Sequence, residues 1–112
     1  MHKNNFGMRD LKLGQLQTFT EVIELGTFSA AAERLQLSQP AVSLQVRQLE
    51  KRLGVRLIER VGKRATPTAA GEELINHAQR IEEAVFAALD AMATYASGAL
   101  GRVRIGTGAT AC

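Results

Sequence analysis

Cysteine is all but missing from this chain. The one thiol, Cys112, is the last of 112 residues, so no disulfide can close within the sequence and no cysteine cluster is available for a metal. Long apolar runs are missing too. No stretch approaches the roughly 20 residues needed to cross a bilayer, and the first ten residues, MHKNNFGMRD, lack the apolar segment and small-residue cleavage site of a secretory signal. The expectation is a cytoplasmic chain with no membrane partner. Catalytic sets are equally scarce: His2 and His77 stand alone, and no Ser/His/Asp group, phosphate-binding loop or shielded carboxylate pair is visible. The adjacent acids Glu72/Glu73 and Glu82/Glu83 point differently around a helix, as solvated residues do. An enzyme is not expected, and neither a metal nor a cofactor is expected in this chain. Internal repeats and low-complexity tracts are absent as well.

What is present is close to ordinary soluble usage, 46% hydrophobic and 22% charged. The length suits one modest helical core plus an appendage. The net charge of +3 conceals an uneven distribution. Residues 1–67 hold 11 Lys/Arg against 6 Asp/Glu, whereas residues 68–112 hold 3 against 5. That asymmetry suits a polyanionic partner for the first part, although a basic run can also be no more than a solvated face. The densest stretch contains Lys51, Arg52, Arg56, Arg60, Lys63 and Arg64 against the single acid Glu59.

Residues 13–25, LGQLQTFTEVIEL, carry Leu13, Leu16, Phe19, Thr20 and Ile23 at helical spacing, with Gly26 following as a C-terminal cap. After a turn over Gly26-Thr27-Phe28, Ser29 is a candidate N-cap for a second, two-turn helix containing AAAERL. Gln36-Leu37-Ser38 breaks that helix. Ser38 then caps a third helix beginning near Gln39, with Pro40 in the first turn, where its missing N–H costs no intrahelical bond. In this helix Val42, Val46, Leu49 and Leu53 form one inward stripe, Ser43, Gln45, Arg47 and Gln48 occupy the opposite face, and Gly54 is the stop. A short alanine-rich helix, a three-residue turn and a longer helix describe a helix-turn-helix. Beyond it, VRLIER and KRATPT flank Val61-Gly62 as a two-stranded basic wing.

Thr68 caps a helix of about 30 residues without proline, which at 1.5 Å per residue would run about 45 Å. Glu72 and Glu73 lie near its positive end. Its apolar positions Leu74, Ala78, Ile81, Val85, Leu89 and Met92 approximate a heptad seam, the expected dimerisation face. Phe86 and Tyr95 add packing surface. The final segment, GRVRIGTGAT, reads as one strand running into a glycine turn, the expected start of a further α/β domain.

With these segments in order, the sequence resembles the N-terminal region of the LysR-type transcriptional regulators over about residues 13–106. The carriers are the short alanine-rich helix, SQPAVS, QLEKRLG, the LIER wing and the T-x-A-G start of the long helix. The resemblance implies a mainly α fold: a winged helix-turn-helix of three helices and a two-stranded wing, followed by a long linker helix that pairs antiparallel in a dimer. The implied organisation is a flexible extension (1–12), a DNA-binding domain (13–67), a linker helix (68–98) and the start of an effector-binding domain (99–112) whose remainder lies outside this chain. A small-molecule inducer is expected for that sensor domain. Double-stranded DNA, a homodimer and, at full length, a tetramer are the implied partners, with an interrupted palindromic operator as the site.

On this reading the third helix enters the major groove by its N-terminus. Gln39 pairs with adenine or phosphate, Pro40 touches a thymine methyl, and Ser43 reaches a base edge. Leu44, where many family members carry Arg or Lys, is an apolar probe. Arg47 reaches phosphate or guanine, or else pairs within its helix with Glu50. Arg60, Lys63 and Arg64 serve phosphate or the minor groove. Ser29 and Ser38 are primarily caps whose hydroxyls also lie well for phosphate. A winged helix that has lost DNA binding and acts as a dimeric interaction scaffold is the alternative.

Overall fold

In a computed structural model, which describes residues 6–98, three helices precede a hairpin and a long final helix. The helices are α1 (Leu13–Leu25), α2 (Phe28–Leu35) and α3 (Gln39–Leu53); strands β1 (Ile58–Val61) and β2 (Arg64–Pro67) form the hairpin, and α4 is Ala69–Ala96. The stretch expected to be a flexible extension contains a 3-10 turn at Met8–Asp10, closed by the Gly7 amide donating to Asp10 Oδ2 at 2.8 Å. The strand expected after Ala99 lies outside the described residues.

Helix ends follow the sequence signals closely. Gly26 and Gly54 adopt left-handed conformations and close α1 and α3 by N–H bonds to Val22 and Glu50, each 2.8 Å. Ser38 caps α3, its Oγ accepting from the Ala41 amide at 3.2 Å. At α2 the expectation fails. Its N-cap is Thr27, whose Oγ1 accepts from the Ala30 amide at 3.0 Å, so Phe28 and Ser29 lie inside the first turn. The reason is burial: starting the helix at Phe28 turns that ring into the core. α2 ends on Gln36, a non-glycine residue at φ +58°.

Packing divides the chain into two compact units, Met1–Ala78 and Gln79–Cys112. The core of the first unit draws on the helices and the hairpin: Leu16, Phe19 and Val22 from α1; Phe28, Ala31 and Ala32 from α2; Val42, Val46 and Leu49 from α3; Leu57, Ile58 and Ala65 around the wing; and Ala78 from α4. Burying each of the larger of these side chains stabilises the fold by about 1.5–3 kcal/mol. The α1–α3 contact also has polar connections. Thr18 Oγ1 donates to Gln45 Oε1 at 2.6 Å, and Gln15 Nε2 donates to Gln48 Oε1 at 3.0 Å. Gln45 and Gln48, expected on the outer face of α3, are therefore turned toward α1. Amide side chains are long enough to reach across a helix crossing, which an alternation of apolar and polar residues does not reveal.

The wing is an antiparallel pair with Val61 opposite Arg64, so its two-residue turn is Gly62-Lys63, one residue later than expected. Gly62 has φ +63°, the first-position glycine that such turns favour. Glu50 latches the segment leading into the wing: its Oε2 accepts from the amides of Leu57 at 2.8 Å and Ile58 at 3.2 Å, with Arg56 Nε 3.8 Å away. The start of α4 is fixed just as closely. Thr68 Oγ1 donates to the Arg56 carbonyl at 2.7 Å and accepts from the Gly71 amide at 3.0 Å, while the Thr68 amide donates to the Leu57 carbonyl at 3.0 Å. A side chain at position 71 would collide with that same carbonyl, so the glycine permits the close approach of α4.

In the second unit the described residues continue α4. Ile81 and Val85 are half-buried, and Phe86, Leu89, Met92 and Tyr95 are each 58–59% exposed. Among the described residues no helix is long and apolar enough to cross a membrane, and no cluster of His, Cys, Asp and Glu could hold a metal ion.

Candidate nucleic-acid interface

Two helix N-termini meet on one surface of the first unit. The Ser29 hydroxyl, in the first turn of α2, donates to Gln39 Oε1 at the first turn of α3, 3.3 Å away. This bond replaces the capping role expected of Ser29. It orients the Gln39 amide and leaves its Nε2 donors without a protein partner among the described residues. First-turn amides at both ends have no intrahelical acceptors, and the helix dipoles add partial positive charge there.

From that point α3 presents a narrow exposed face. Gln39 and Pro40 are exposed, Ser43 one turn later is half-buried, and Leu44 and Arg47 are exposed. The expected partner of Arg47 is committed elsewhere, because the Glu50 carboxylate is held by the Leu57 and Ile58 amides and by Arg56. Gln45 and Gln48 bond to α1, although Gln48 stays exposed, and over its first turns α3 presents Gln39, Pro40, Ser43, Leu44 and Arg47.

The wing cations do not simply project into solvent. The Arg60 guanidinium lies 4.1 Å from the centroid of the Phe28 ring, stacking the wing against the first turn of α2. The Arg64 side chain folds over Gly26, and the neighbouring Ala65 amide donates to the Gly26 carbonyl at 2.8 Å. Lys63 occupies the exposed turn. Among the described residues none of Arg47, Arg60, Lys63 and Arg64 has a carboxylate within 4.0 Å; the three ion pairs involve Arg34, Arg56 and His77. Positive charge on this surface is therefore uncompensated, the condition that favours an anionic partner.

The seam residues are divided between the two units. Ala78 is buried by its own chain within the first unit and Leu74 is half-buried there, whereas Leu89 and Met92 are open in the second. Sequence reasoning missed Thr27 as the cap, Phe28 as the platform under Arg60, Glu50 as the wing latch and Gly71 as the close-approach residue. Thr27 was detectable as a second hydroxyl two residues before Ser29. The Glu50 latch has no local signal, since its partners lie seven and eight residues away across a turn.

The family described as "Bacterial regulatory helix-turn-helix protein, lysR family" matches residues 13–72. The HTH-type transcriptional regulator CfxR of Cupriavidus necator is 50% identical over 74 residues, covering 66% of this chain and 23% of that protein. CbbR of Sinorhizobium medicae is 36% identical over 103 residues, 92% of this chain and 33% of the relative. Two solved structures of DNA complexes share the fold. The CbnR DNA-binding domain on DNA gives a TM-score of 0.71 at 38% identity, covering 77% of this chain and 99% of that one. The BenM DNA-binding domain on catB site 1 DNA gives 0.74 at 31%, covering 79% and 98%. These relatives are transcriptional regulators rather than enzymes, and the chain spans between a fifth and a third of the length of CfxR and CbbR. With its winged helix-turn-helix and long final helix, the chain belongs to the LysR family of bacterial helix-turn-helix regulators.

Proposed function

We propose that this chain is the operator-reading part of a transcription regulator and binds double-stranded DNA sequence-specifically. The observation that carries this reading is the single surface on which the first turns of α2 and α3 meet beside uncompensated arginines and a lysine. Only the major groove is wide enough for a helix and presents distinct donors and acceptors for each base pair, so α3 enters there by its first turn. Gln39 and Ser43 read base edges, with Pro40 beside them. Ser29, Ser38 and Arg47 engage phosphates. Arg60, Lys63 and Arg64 engage phosphates or the minor groove, two of them held in place by their contacts with Phe28 and Gly26.

The reading includes a homodimer through the apolar residues Ile81, Val85, Leu89 and Met92 of α4; Ala78, buried by its own chain, is not available to a partner. A two-fold dimer presents two copies of α3, which suits an interrupted palindromic operator. At full length the regulator would carry a sensor domain for a small-molecule inducer, assemble further into a tetramer, and act in the cytoplasm where its DNA lies. The test is duplex binding by the 112-residue chain across a salt series. Affinity is expected to fall steeply and linearly on logarithmic axes, with one phosphate contact contributing a slope of about −0.9. A flat, weak response would instead support a dimeric interaction scaffold that does not bind DNA.

A further inference from the structure

Leu44 is the one large apolar side chain exposed within α3, at 47%. The core stripe of the same helix, Val42, Val46 and Leu49, is no more than 2% exposed. At 100° per residue, position 44 is about 200° from position 42, on the opposite side of the helix. Leu44 thus lies outside the packed core. A solitary exposed leucine needs no explanation in general, but this one lies on the outward side of α3 beside Ser43 and Arg47. Pro40, one turn earlier and also exposed, extends it into a short apolar strip.

Resting on the DNA-binding reading above, we infer that Leu44 is a specificity-determining residue that selects thymine at one base pair by contact with its 5-methyl group. The chemistry of the major groove leaves one occupant. Apart from the flat ring C–H of cytosine, every other feature that a base pair presents there is a hydrogen-bond donor or acceptor, and the thymine methyl is the sole apolar protrusion. A leucine laid against those polar groups removes water from them and returns no hydrogen bond, an unfavourable exchange. Against the methyl it buries carbon on carbon. Cytosine at the same step presents a bare ring C–H and an unpaired amino donor, so discrimination arises from both attraction to one base and desolvation of the other.

The test begins with the tightest duplex selected from a random pool by the 112-residue chain. Each thymine is replaced singly by deoxyuridine, which removes only the methyl group, and binding of the wild-type chain and of Leu44→Ala is measured in parallel. One thymine per half-site is expected to matter: its replacement weakens wild-type binding about fourfold, the worth of one buried methyl, and leaves Leu44→Ala binding unchanged. Leucine and alanine have similar helix propensities, so an unaltered melting temperature is expected for the variant. A second arm uses Leu44→Arg, for which selection should replace thymine by guanine at that step. The inference is overturned if no deoxyuridine substitution matters, or if the loss persists undiminished in Leu44→Ala, which would assign the methyl contact to another side chain. A chain that selects no site and shows no salt-dependent binding would overturn the DNA-binding reading itself, and this inference with it.

Discussion

α3 and α4 carry apolar residues at nearly the same spacing, yet the two stripes have opposite fates. Val42, Val46 and Leu49 are covered by the first unit, while Leu89 and Met92 remain 58–59% exposed. The difference lies in what surrounds each helix. α3 has α1 and α2 against it, whereas the second unit, among its described residues, consists of α4 itself. Spacing states that a stripe will be covered; only the neighbours state by what.

The largest expected effect is at the covered stripe. Leu49→Ala leaves a cavity under α3 and should cost about 2–5 kcal/mol, read as a large drop in the denaturant midpoint. A loss under about 1 kcal/mol would mean that α3 is not embedded as described. Next is Glu50→Ala, which strips the acceptor from the Leu57 and Ile58 amides. Leaving buried donors unsatisfied should cost about 1–3 kcal/mol in chemical denaturation, and DNA affinity should fall as the wing loosens. Gln36→Gly works in the other direction, since its left-handed conformation strains a residue with a side chain. A gain of about 0.5–1 kcal/mol is expected, visible as a raised melting temperature. The smallest stability effect falls on the open stripe. Leu89→Lys should change the stability of the first unit by less than about 0.5 kcal/mol, while sedimentation shows monomers in place of dimers. Unchanged sedimentation would remove α4 from the dimer reading.

The legibility of this fold in its sequence follows the range of the interactions. Helix boundaries at Gln39, Gly26 and Gly54, the cap at Ser38 and the two-stranded wing are written in residues adjacent to the feature they create. The α2 cap is ambiguous in the sequence because two hydroxyls compete within three residues, and burial of the Phe28 ring decides between them. Contacts between distant elements were out of reach: Gln45 with Thr18, Glu50 with the segment entering the wing, Arg60 over Phe28. Their effect on the interface is nonetheless decisive. They tie both glutamines to α1 and withdraw the Glu50 carboxylate from Arg47, so the exposed face of α3 is more positive than periodicity suggests.

α3 and the wing divide the labour of recognition, and the most direct measurement compares Gln39→Ala with Lys63→Ala on a panel of single-base variants of the selected duplex. Gln39→Ala should lose about 1–3 kcal/mol of discrimination at one position, whereas Lys63→Ala should weaken every duplex alike and reduce the salt slope by about 1. Uniform losses in both variants would contradict the entry of α3 into the major groove.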